Sequence, residues 1–432
     1  MVLPVKASLT VRQSGIQHNL PTFSAKDGLT AIVTGATGIS GWNTVRSLLD
    51  VPGRWTKIYT VQQSCIQHLS VDFNGTPEDI AQVISAVHEA DPYVFFYAYM
   101  QPKTEAHEGV WKNVDKLVEV NSRLFSSFLK ALDIAQVVPK RIVLQTGGKN
   151  YGLQFGRTPQ PLVESDPQPR HLEPNFYYVQ EDDLQDYCRR HSGTSWNVIR
   201  PCGVVGSALK AQMNEIYLLC VYAAVQTYKK EPMYFPGDWT VWQGPVALST
   251  ARLTGYLSEW AALNDACTNQ AYNAVDSNSM THERLWVELA RWYGNEKGAA
   301  CPLDDTSKFQ RVELKSGKDC PLGHGPPLVI ASSYSMLDWA QKQCNKDAWK
   351  SIMEASGGKI TADPFAQDAI KENFQFLDIC CSAVVLVSMN KARRQGWTGF
   401  VDTIESSFQA AQEMVDMGLL PHPVVGAARP LI

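Results

Sequence analysis

A glycine-rich turn near the start of the chain carries the clearest chemical signal in the sequence. Residues 34–41 are Thr-Gly-Ala-Thr-Gly-Ile-Ser-Gly, and they follow a short apolar strand pattern and open a helical one. Glycines let a backbone turn tightly against a phosphate, and a helix N-terminus directs N–H groups and its positive dipole end towards it. In this context the spacing predicts a dinucleotide site. The alternative is that the glycines serve only helix–strand packing.

The residues around this turn suggest specific contacts to the nucleotide. Candidate cofactor-binding residues are Gly35, Thr37, Gly38 and Ile39 in the turn, and Thr146 and Pro201 at the ends of later strands. Selection between NAD and NADP is expected at the end of the second strand, where an acidic residue holds the ribose hydroxyls and an Arg holds the 2′-phosphate. Here the positions hold Gln63 and Ser64, with Asp72 further on as a candidate adenine contact. The sequence therefore leaves the choice between NADPH and NADH as cofactor open.

A tyrosine and a lysine form the second group with chemical potential. The Tyr-x-x-x-Lys pattern of ordinary short-chain dehydrogenases is absent, because the residue four positions after Tyr178 is Asp182. A basic residue, Lys149, instead follows a strand pattern directly, within the sequence Thr-Gly-Gly-Lys. A phenol donor and a cation beside a developing oxyanion suit carbonyl chemistry and require no metal. Alternatively, Lys149 is a solvated surface residue, and Tyr177 and Tyr178 are core aromatics.

The elements that would position these groups alternate between strand and helix patterns. Predicted strands cover residues 29–34, 57–61, 93–99, 142–145 and 196–199, and predicted helices begin at Ile39, Pro77 (capped by Thr76), near Val114 and near Tyr178. Such alternation predicts an α/β fold with a Rossmann-type, doubly wound parallel sheet of about six strands. After Pro201 helical patterns dominate. We therefore expect an N-terminal extension over 1–27, a dinucleotide-binding domain over 28–200, and a smaller, mostly helical substrate-binding part over 201–432 packed on the Rossmann core.

Composition excludes several other classes of protein. The net charge of -4 gives no reason to expect nucleic acid as a partner. The longest apolar run is too short to cross a bilayer, and the ten cysteines contain no Cys-x-x-Cys pair that would suggest a metal site. We expect a cytoplasmic, soluble protein that acts on a small molecule without a metal or a membrane partner. A homodimer is an open alternative to a monomer. The segment 304–325, rich in Gly, Lys and Pro, is expected to be a surface loop.

Several unusual residue combinations resemble one family. The motifs are Leu144–Tyr151, Asn175–Asp182, Arg200-Pro201, Met213-Asn214, Val221–Ala223, Phe235–Gly237 and Ser388–Arg393, and the likeness covers residues 28–421. In this combination the chain resembles the progesterone 5β-reductase/iridoid synthase-like family of atypical extended short-chain dehydrogenases/reductases. That family moves the catalytic lysine to the loop that holds Lys149 here.

The resemblance implies NADPH-dependent 1,4-reduction of an α,β-unsaturated carbonyl compound, such as a terpenoid, steroid or polyketide-like substrate of specialised metabolism. Tyr178 would donate a hydrogen bond to the carbonyl oxygen, and Lys149 would lower the pKa of Tyr178 and hold the developing charge. Tyr177 is the main rival for the catalytic role. The positions that resemble the family's substrate pocket are Phe155, Met213, Phe374 and Ser388, with core packing equally open for each.

One departure from the family keeps other functions open. Family members usually carry Arg residues after the second strand, whereas Gln63 and Ser64 offer no charge to a 2′-phosphate. One alternative is a non-redox isomerase, aldolase or cyclase that uses the Tyr/Lys pair to stabilise an enolate. Another is a nucleotide-sensing regulatory protein that keeps the fold without catalysis.

Overall fold

The computed structural model describes residues 10–23, 26–60, 66–67, 71–102, 113–209, 213–276, 280–367 and 369–429. Its strands are β1 (Val11–Ser14), β2 (Gln17–Pro21), β3 (Leu29–Thr34), β4 (Trp55–Tyr59), β5 (Ile66–Gln67), β6 (Tyr93–Phe96), β7 (Arg141–Gln145), β8 (Ser195–Pro201), β9 (Val204–Val205), β10 (Met233–Tyr234), β11 (Ser249–Thr250), β12 (Gln270–Ala274), β13 (Ala299–Ala300), β14 (Gln310–Glu313) and β15 (Val329–Ser332).

The helices are α1 (Ile39–Leu49), α2 (Pro77–Ile84), α3 (Val114–Ile134), α4 (Phe176–Arg190), α5 (Glu215–Lys229), α6 (Trp239–Gln243), α7 (Ala251–Leu263), α8 (His282–Trp292), α9 (Met336–Gln341), α10 (Gln343–Ala355), α11 (Ile370–Cys380), α12 (Asn390–Arg394) and α13 (Thr403–Asp416). None of the helices in the described part of the chain is long and apolar enough to cross a membrane.

A seven-stranded parallel sheet forms the centre of the molecule, in the order β12-β8-β7-β6-β3-β4-β5. Its strands alternate with helices, as the sequence pattern predicted, so the doubly wound Rossmann class is confirmed. The sequence predicted about six strands ending before residue 201. The structure corrects this, because β12 lies beyond that boundary and pairs in parallel with β8. The Rossmann core therefore takes its outer strand from the second half of the chain.

Both faces of the sheet are covered, which explains why its central strands are apolar throughout. All four residues of β6 are buried. One face packs against α1 and α7, and the other packs against α2, α3 and α4. Helix α2 begins as its sequence predicts, because Thr76 and Asp79 form a reciprocal capping box and Pro77 occupies the first turn. Parallel strands buried on both sides need this continuous hydrophobic character.

Within the N-terminal extension, β1 and β2 form an antiparallel hairpin. The backbone N–H of His18 donates to the carbonyl of Phe400 at 2.9 Å, and Leu20 is buried in the core beside the sheet. The hydroxyl of Ser14 donates to the carboxylate of Asp50 at the end of α1 at 2.9 Å. The hairpin thus contacts the end of α1, the helix that follows the glycine-rich turn.

The predicted surface loop at 304–325 also has a defined position. The N–H of Lys315 donates to the carbonyl of Phe155 at 2.9 Å, and the N–H of Leu322 donates to the carbonyl of Arg157 at 2.8 Å. Cys320 within it is buried. The segment therefore lies against residues 155–157, just beyond the loop that carries Lys149. Most of the segment is exposed, as expected for a surface loop, but it contains β14 and contacts residues 155–157.

Helices α1 and α7 cross at a position that only glycine can occupy. A Cβ atom at Gly255 would lie 2.6 Å from the Oγ of Ser47 and 2.9 Å from the Cα of Thr44. Both contacts are shorter than the normal van der Waals separation, so a side chain would push the two helices apart. The position of α1, and with it the glycine-rich turn, depends on this close approach.

Replacing Gly255 by Val should therefore lower the free energy of unfolding by about 1–3 kcal/mol, the usual cost of overpacking a core. Urea denaturation of the purified variant measures the change. Gly193→Val is the matched control, since a Cβ there meets no atom within 4 Å. Equal stability of the Gly255 variant and the wild type would show that α7 can move away from α1 without cost.

Candidate active site

The glycine-rich turn has the geometry of an anion cradle. Gly35 has a φ of +66°, and a Cβ there would lie 2.8 Å from the backbone of Tyr97. At Gly41 a Cβ would collide with the carbonyl oxygen of Gly35. Gly38 caps α1 and has no side chain that could accept hydrogen bonds from the first N–H groups of the helix. A phosphate group fits this arrangement, because these N–H groups and the helix dipole both favour an anion.

The strands next to the cradle end in polar groups that face it. The side-chain amide of Gln145, at the end of β7, donates to the hydroxyl of Ser40 at 2.8 Å and so joins α1 to the next part of the site. Thr146 follows, and its Oγ1 is buried without a hydrogen-bond partner among the described residues. An orphaned buried hydroxyl at the carboxyl end of a central strand is consistent with a ligand group bound there. Gln145 and Ser40 were missed by the sequence analysis.

The residues predicted to select the nucleotide are only partly described. Gln63 and Ser64 lie outside the described residues. Asp72 is exposed, and its Oδ1 accepts hydrogen bonds from the backbone and side chain of Asn74 at 2.9 and 3.2 Å. This is an Asx turn, which shapes the loop before α2. The adenine contact of Asp72 stays a prediction.

Lys149 lies in a 3-10 turn, residues 148–151, which begins directly after Gly147 at the end of the β7 segment. A Cβ at Gly148 would lie 2.9 Å from the Sγ of Cys202, so this turn packs tightly on the end of β8. Burial lowers the pKa of Lys149 well below its usual value, and the carboxylate of Glu173 opposes that shift. In this environment the Lys149 amine is desolvated, unlike the amine of a solvated surface lysine.

Asn175 connects this turn to α4. Its Oδ1 accepts a hydrogen bond from the backbone N–H of Tyr177 at 3.0 Å, which caps the helix. Its Nδ2 donates to the carbonyl oxygen of Lys149, also at 3.0 Å. One side chain thus fixes both the start of α4 and the lysine turn. No pattern of spacing in the sequence indicates the second bond.

The two tyrosines at the start of α4 point to different surroundings. The hydroxyl of Tyr177 and the carbonyl oxygen of Pro201 lie 3.2 and 3.3 Å from the Cβ position of Gly147. This hydroxyl makes no hydrogen bond to any residue that the structure describes, and burial raises the pKa of Tyr177. It is therefore a protonated donor that faces the loop of Lys149.

The hydroxyl of Tyr178 already has a hydrogen-bond acceptor within the protein. Its hydroxyl donates to the carbonyl oxygen of Asn150 at 3.2 Å, and the guanidinium of Arg170 stacks on its ring at 5.3 Å. The side chain is buried, and this burial raises its pKa to about 12. The expected lowering of this pKa by Lys149 is wrong, because desolvation exceeds any effect of nearby cations.

Beneath the two tyrosines, a buried ion pair holds α4 on the sheet. Arg200 of β8 donates to Glu181 at 3.0 Å, and both side chains are almost fully buried. Although burial opposes its charge, the Glu181 carboxylate raises the pKa of Arg200. Arg200 also contacts the hydroxyl of Tyr151, which in turn donates to Asn273 of β12 at 2.5 Å. The motif Arg200-Pro201 pointed to this region, but its partners were missed.

The predicted pocket residues lie in different surroundings. Phe374 is fully buried and packs on Phe365 and Trp339 at 5.3 and 5.7 Å between ring centroids, which favours the alternative of core packing. The hydroxyl of Ser388 accepts from the N–H of Asn390 and shapes a turn.

The other two predicted pocket residues are Phe155 and Met213. Phe155 lies under the ammonium group of Lys315, and Met213 is half-buried with a φ of +55°. For both, a pocket role stays a prediction. Among the described residues no group of His, Cys, Asp or Glu could hold a metal ion.

Comparison with known proteins gives one family match. The model described as the PRISE-like Rossmann-fold domain matches residues 78–316. The short chain dehydrogenase gsfE of Penicillium aethiopicum is 26% identical over 91% of this chain and 99% of its own length. A 3-oxo-Delta(4,5)-steroid 5-beta-reductase of Arabidopsis thaliana is 27% identical over 67% of this chain and 74% of its own length.

Further relatives extend the comparison. An (S)-8-oxocitronellyl enol synthase of Camptotheca acuminata is 26% identical over 90% of this chain and 93% of its own length. Among solved structures, the UDP-glucose 4-epimerase of Thermus thermophilus in complex with NAD aligns with a TM-score of 0.46 at 15% identity, over 81% of this chain and 99% of that one.

Replacing Asn175 by Ala should cost about 1 kcal/mol of stability through loss of the helix cap. The same change should also free the lysine turn, because the bond to the carbonyl of Lys149 is lost with it. Hydrogen–deuterium exchange of the amides of residues 148–151 would then speed up. Thr281→Ala removes the cap of α8 and serves as the matched control. Unchanged exchange in residues 148–151 would show that Asn175 is only a helix cap.

Proposed function

The chain belongs to the PRISE-like Rossmann-fold family, the progesterone 5β-reductase/iridoid synthase-like group of short-chain dehydrogenases/reductases, and from this membership we propose that it reduces the C=C bond of an α,β-unsaturated carbonyl compound with a nicotinamide cofactor. One observation carries the proposal. A protonated tyrosine hydroxyl without a partner among the described residues, that of Tyr177, lies 3.2 Å from the Cβ position of Gly147, the residue that precedes the turn of Lys149.

The cofactor fits residues that are already in place. The N–H groups after Gly38 would hold the pyrophosphate, and Gly35 and Gly41 let the backbone approach it closely. Thr146 and Pro201 lie at the ends of β7 and β8, where the nicotinamide end would lie. When bound, the reduced nicotinamide supplies a hydride for the β-carbon of the substrate. NADPH is the proposed form, as the resemblance implies, with NADH as the alternative.

The residues of the chain stabilise the charge that this addition creates. As the β-carbon receives hydride, negative charge moves to the carbonyl oxygen. The hydroxyl of Tyr177 donates a hydrogen bond to that oxygen, and its raised pKa keeps the proton on the phenol until the charge develops. Lys149 lies in a desolvated site, where burial lowers its pKa and so disfavours its charge. In its protonated form it would attract the developing negative charge more strongly than in water.

We assign the donor role to Tyr177 and not to Tyr178. The hydroxyl of Tyr178 already donates to the backbone of Asn150, and breaking that bond would leave a buried carbonyl unpaired. A hydrogen bond from the Tyr177 hydroxyl to a substrate breaks no existing bond, because this hydroxyl has no partner among the described residues. Two tyrosines adjacent in sequence on a helix point about 100° apart, so only one of them can face the cofactor.

Paired substitutions test this assignment. Tyr177→Phe should lower kcat/KM by about 10²–10³-fold, the usual loss for one oxyanion donor. Tyr178→Phe should keep most of the activity and lose about 1 kcal/mol of stability instead, because it removes a buried hydrogen bond. Steady-state rates with an enone and urea denaturation of both variants measure the two effects. The reverse pattern would return the role to Tyr178.

The names of the relatives support a lipophilic carbonyl substrate. Two of them are named for a 3-oxo steroid and for 8-oxocitronellyl enol formation. We propose a terpenoid, steroid or polyketide-like enone from specialised metabolism.

Nucleotide binding separates this proposal from the two non-redox alternatives. Titration of the purified protein with NADPH and NADH, followed by calorimetry, should give dissociation constants in the micromolar range for at least one of them. Subsequent addition of an enone should then consume the reduced nicotinamide. Binding without consumption by any enone, together with formation of an isomer, would support a non-redox enzyme, and failure to bind either nucleotide would exclude the reductase.

A further inference from the structure

A polar cleft of about 120 Å³ lies where several segments of the chain meet, and neither Tyr177 nor Lys149 lines it. Its walls come from the β1–β2 hairpin, the middle of α1, the segment after β8, the start of α7 and α13. Because a water takes about 30 Å³ in the liquid, the cleft has room for a few waters or for a ligand of about four to six non-hydrogen atoms.

Gln17, the first residue of β2, is a buried amide that lines this cleft. Only 4% of its surface is exposed, and its side chain makes no hydrogen bond to any residue in the described part of the chain. Its Oε1 lies 3.9 Å from the Cβ position of Gly15, which also lines the cleft. Buried polar groups in native proteins have hydrogen-bond partners, so the Gln17 amide indicates a polar ligand or ordered water in the cleft.

Arg46 of α1, a second lining residue, is neutralised by α13. Its Nη1 and Nη2 donate to the two carboxylate oxygens of Glu413 at 2.9 and 2.7 Å. The hydroxyl of Ser207 donates to the same carboxylate. This bidentate pair joins α1 to α13 and leaves no net charge on that wall of the cleft.

Arg252, at the start of α7, is a lining cation with unused donors. Its Nε donates to the hydroxyl of Tyr256 at 3.2 Å, whereas its Nη2 lies 3.7 Å from the Oδ1 of Asp50, beyond hydrogen-bond length. The Asp50 carboxylate already accepts hydrogen bonds from Arg12 and Ser14. Neither Nη group of Arg252 therefore makes a hydrogen bond to a residue that the structure describes.

The charges around the cleft favour a ligand with one negative charge. Among the lining residues Arg46 and Glu413 cancel, so the positive charge of Arg252 remains. The carboxylate of Asp276, which bonds to the lining residue Thr250, does not itself line the cleft and already accepts three hydrogen bonds. A guanidinium matches a carboxylate in planar, bidentate geometry. A dianion such as phosphate would instead meet the negative charge of Glu413.

We propose that this cleft is a binding site for a short monocarboxylate, separate from the candidate active site. The two Nη groups of Arg252 hold the carboxylate, and the side-chain amide of Gln17 donates to one of its oxygens. The ligand thereby gives the buried amide of Gln17 the partner that it lacks among the described residues. Its binding links the N-terminal hairpin to α7 and requires no step of the reductase chemistry.

Calorimetric titration with butyrate at constant ionic strength tests the site, and butyramide, of the same size but neutral, is the control ligand. The wild type should bind butyrate with a dissociation constant in the millimolar range and butyramide about tenfold more weakly or less. Arg252→Met and Gln17→Leu should each weaken butyrate binding by about tenfold or more, because each removes hydrogen bonds to a charged group. Gln13→Leu and Arg284→Met, at exposed positions on β1 and α8, are the matched controls and should bind as the wild type does.

Two conservative variants cover the case in which Arg252→Met or Gln17→Leu fails to fold in urea denaturation. Arg252→Lys keeps the positive charge and should retain part of the affinity for butyrate. Gln17→Glu keeps the size of the side chain and should abolish binding, because it places a like charge beside the carboxylate. Unchanged butyrate affinity in folded Gln17→Glu would overturn the proposal.

A further variant locates the bound ligand. Lys149→Met should leave butyrate binding unchanged, because Lys149 does not line the cleft. Loss of binding in Lys149→Met, with normal binding in the Arg252 and Gln17 variants, would place butyrate in the candidate active site and overturn the proposal. Equal affinity for butyrate and butyramide, or no binding of butyrate at high millimolar concentration, would also overturn it and leave water as the occupant of the cleft. None of these outcomes changes the proposed function, which depends on nicotinamide binding and oxidation.

Discussion

The side-chain amide of Asn175 makes two hydrogen bonds in opposite directions, and the arrangement of the proposed catalytic groups depends on them. One bond fixes the first turn of α4 and so the direction of Tyr177. The other holds the backbone of Lys149. The phenol and the ammonium group belong to segments almost thirty residues apart in sequence. A single rigid link between their backbones positions both groups before a substrate arrives, and such preorganisation is what makes electrostatic stabilisation effective.

A second constraint is the tight contact between backbones around the site. Gly35 touches the chain after β6, Gly148 touches Cys202, and Gly255 brings α7 onto α1. Each of these positions excludes a Cβ atom, so the central strands and α1 approach more closely than side chains would allow. The buried Arg200–Glu181 pair then ties α4 to the sheet. Removing one partner of such a pair would leave a buried charge unpaired, which makes the network sensitive to substitution.

The second half of the chain contributes more to the site than a separate domain would. Strand β12 completes the sheet, and α7 covers one of its faces. The 304–325 segment lies on residues that follow the lysine turn. The two halves of the chain are therefore interleaved.

The sequence alone determined the fold class, the glycine-rich turn before α1 and the place of Lys149 directly after a strand. These depend on local signals: the glycine spacing between strand and helix, the Thr76–Pro77 cap, and the alternation of apolar strands with helices. Local signals are readable because backbone conformation and capping depend on neighbouring residues.

Only the tertiary structure showed that the hydroxyl of Tyr178 donates to a backbone carbonyl, that Phe374 packs in the core and that β12 completes the sheet. The two tyrosines are adjacent and chemically identical, so nothing in their spacing tells which hydroxyl finds a backbone acceptor. That outcome depends on contacts with Gly147 and Asn150, on a segment that lies far away in sequence. Burial and hydrogen-bond partners are set by the packing of distant segments, and they fix which identical group remains available for chemistry.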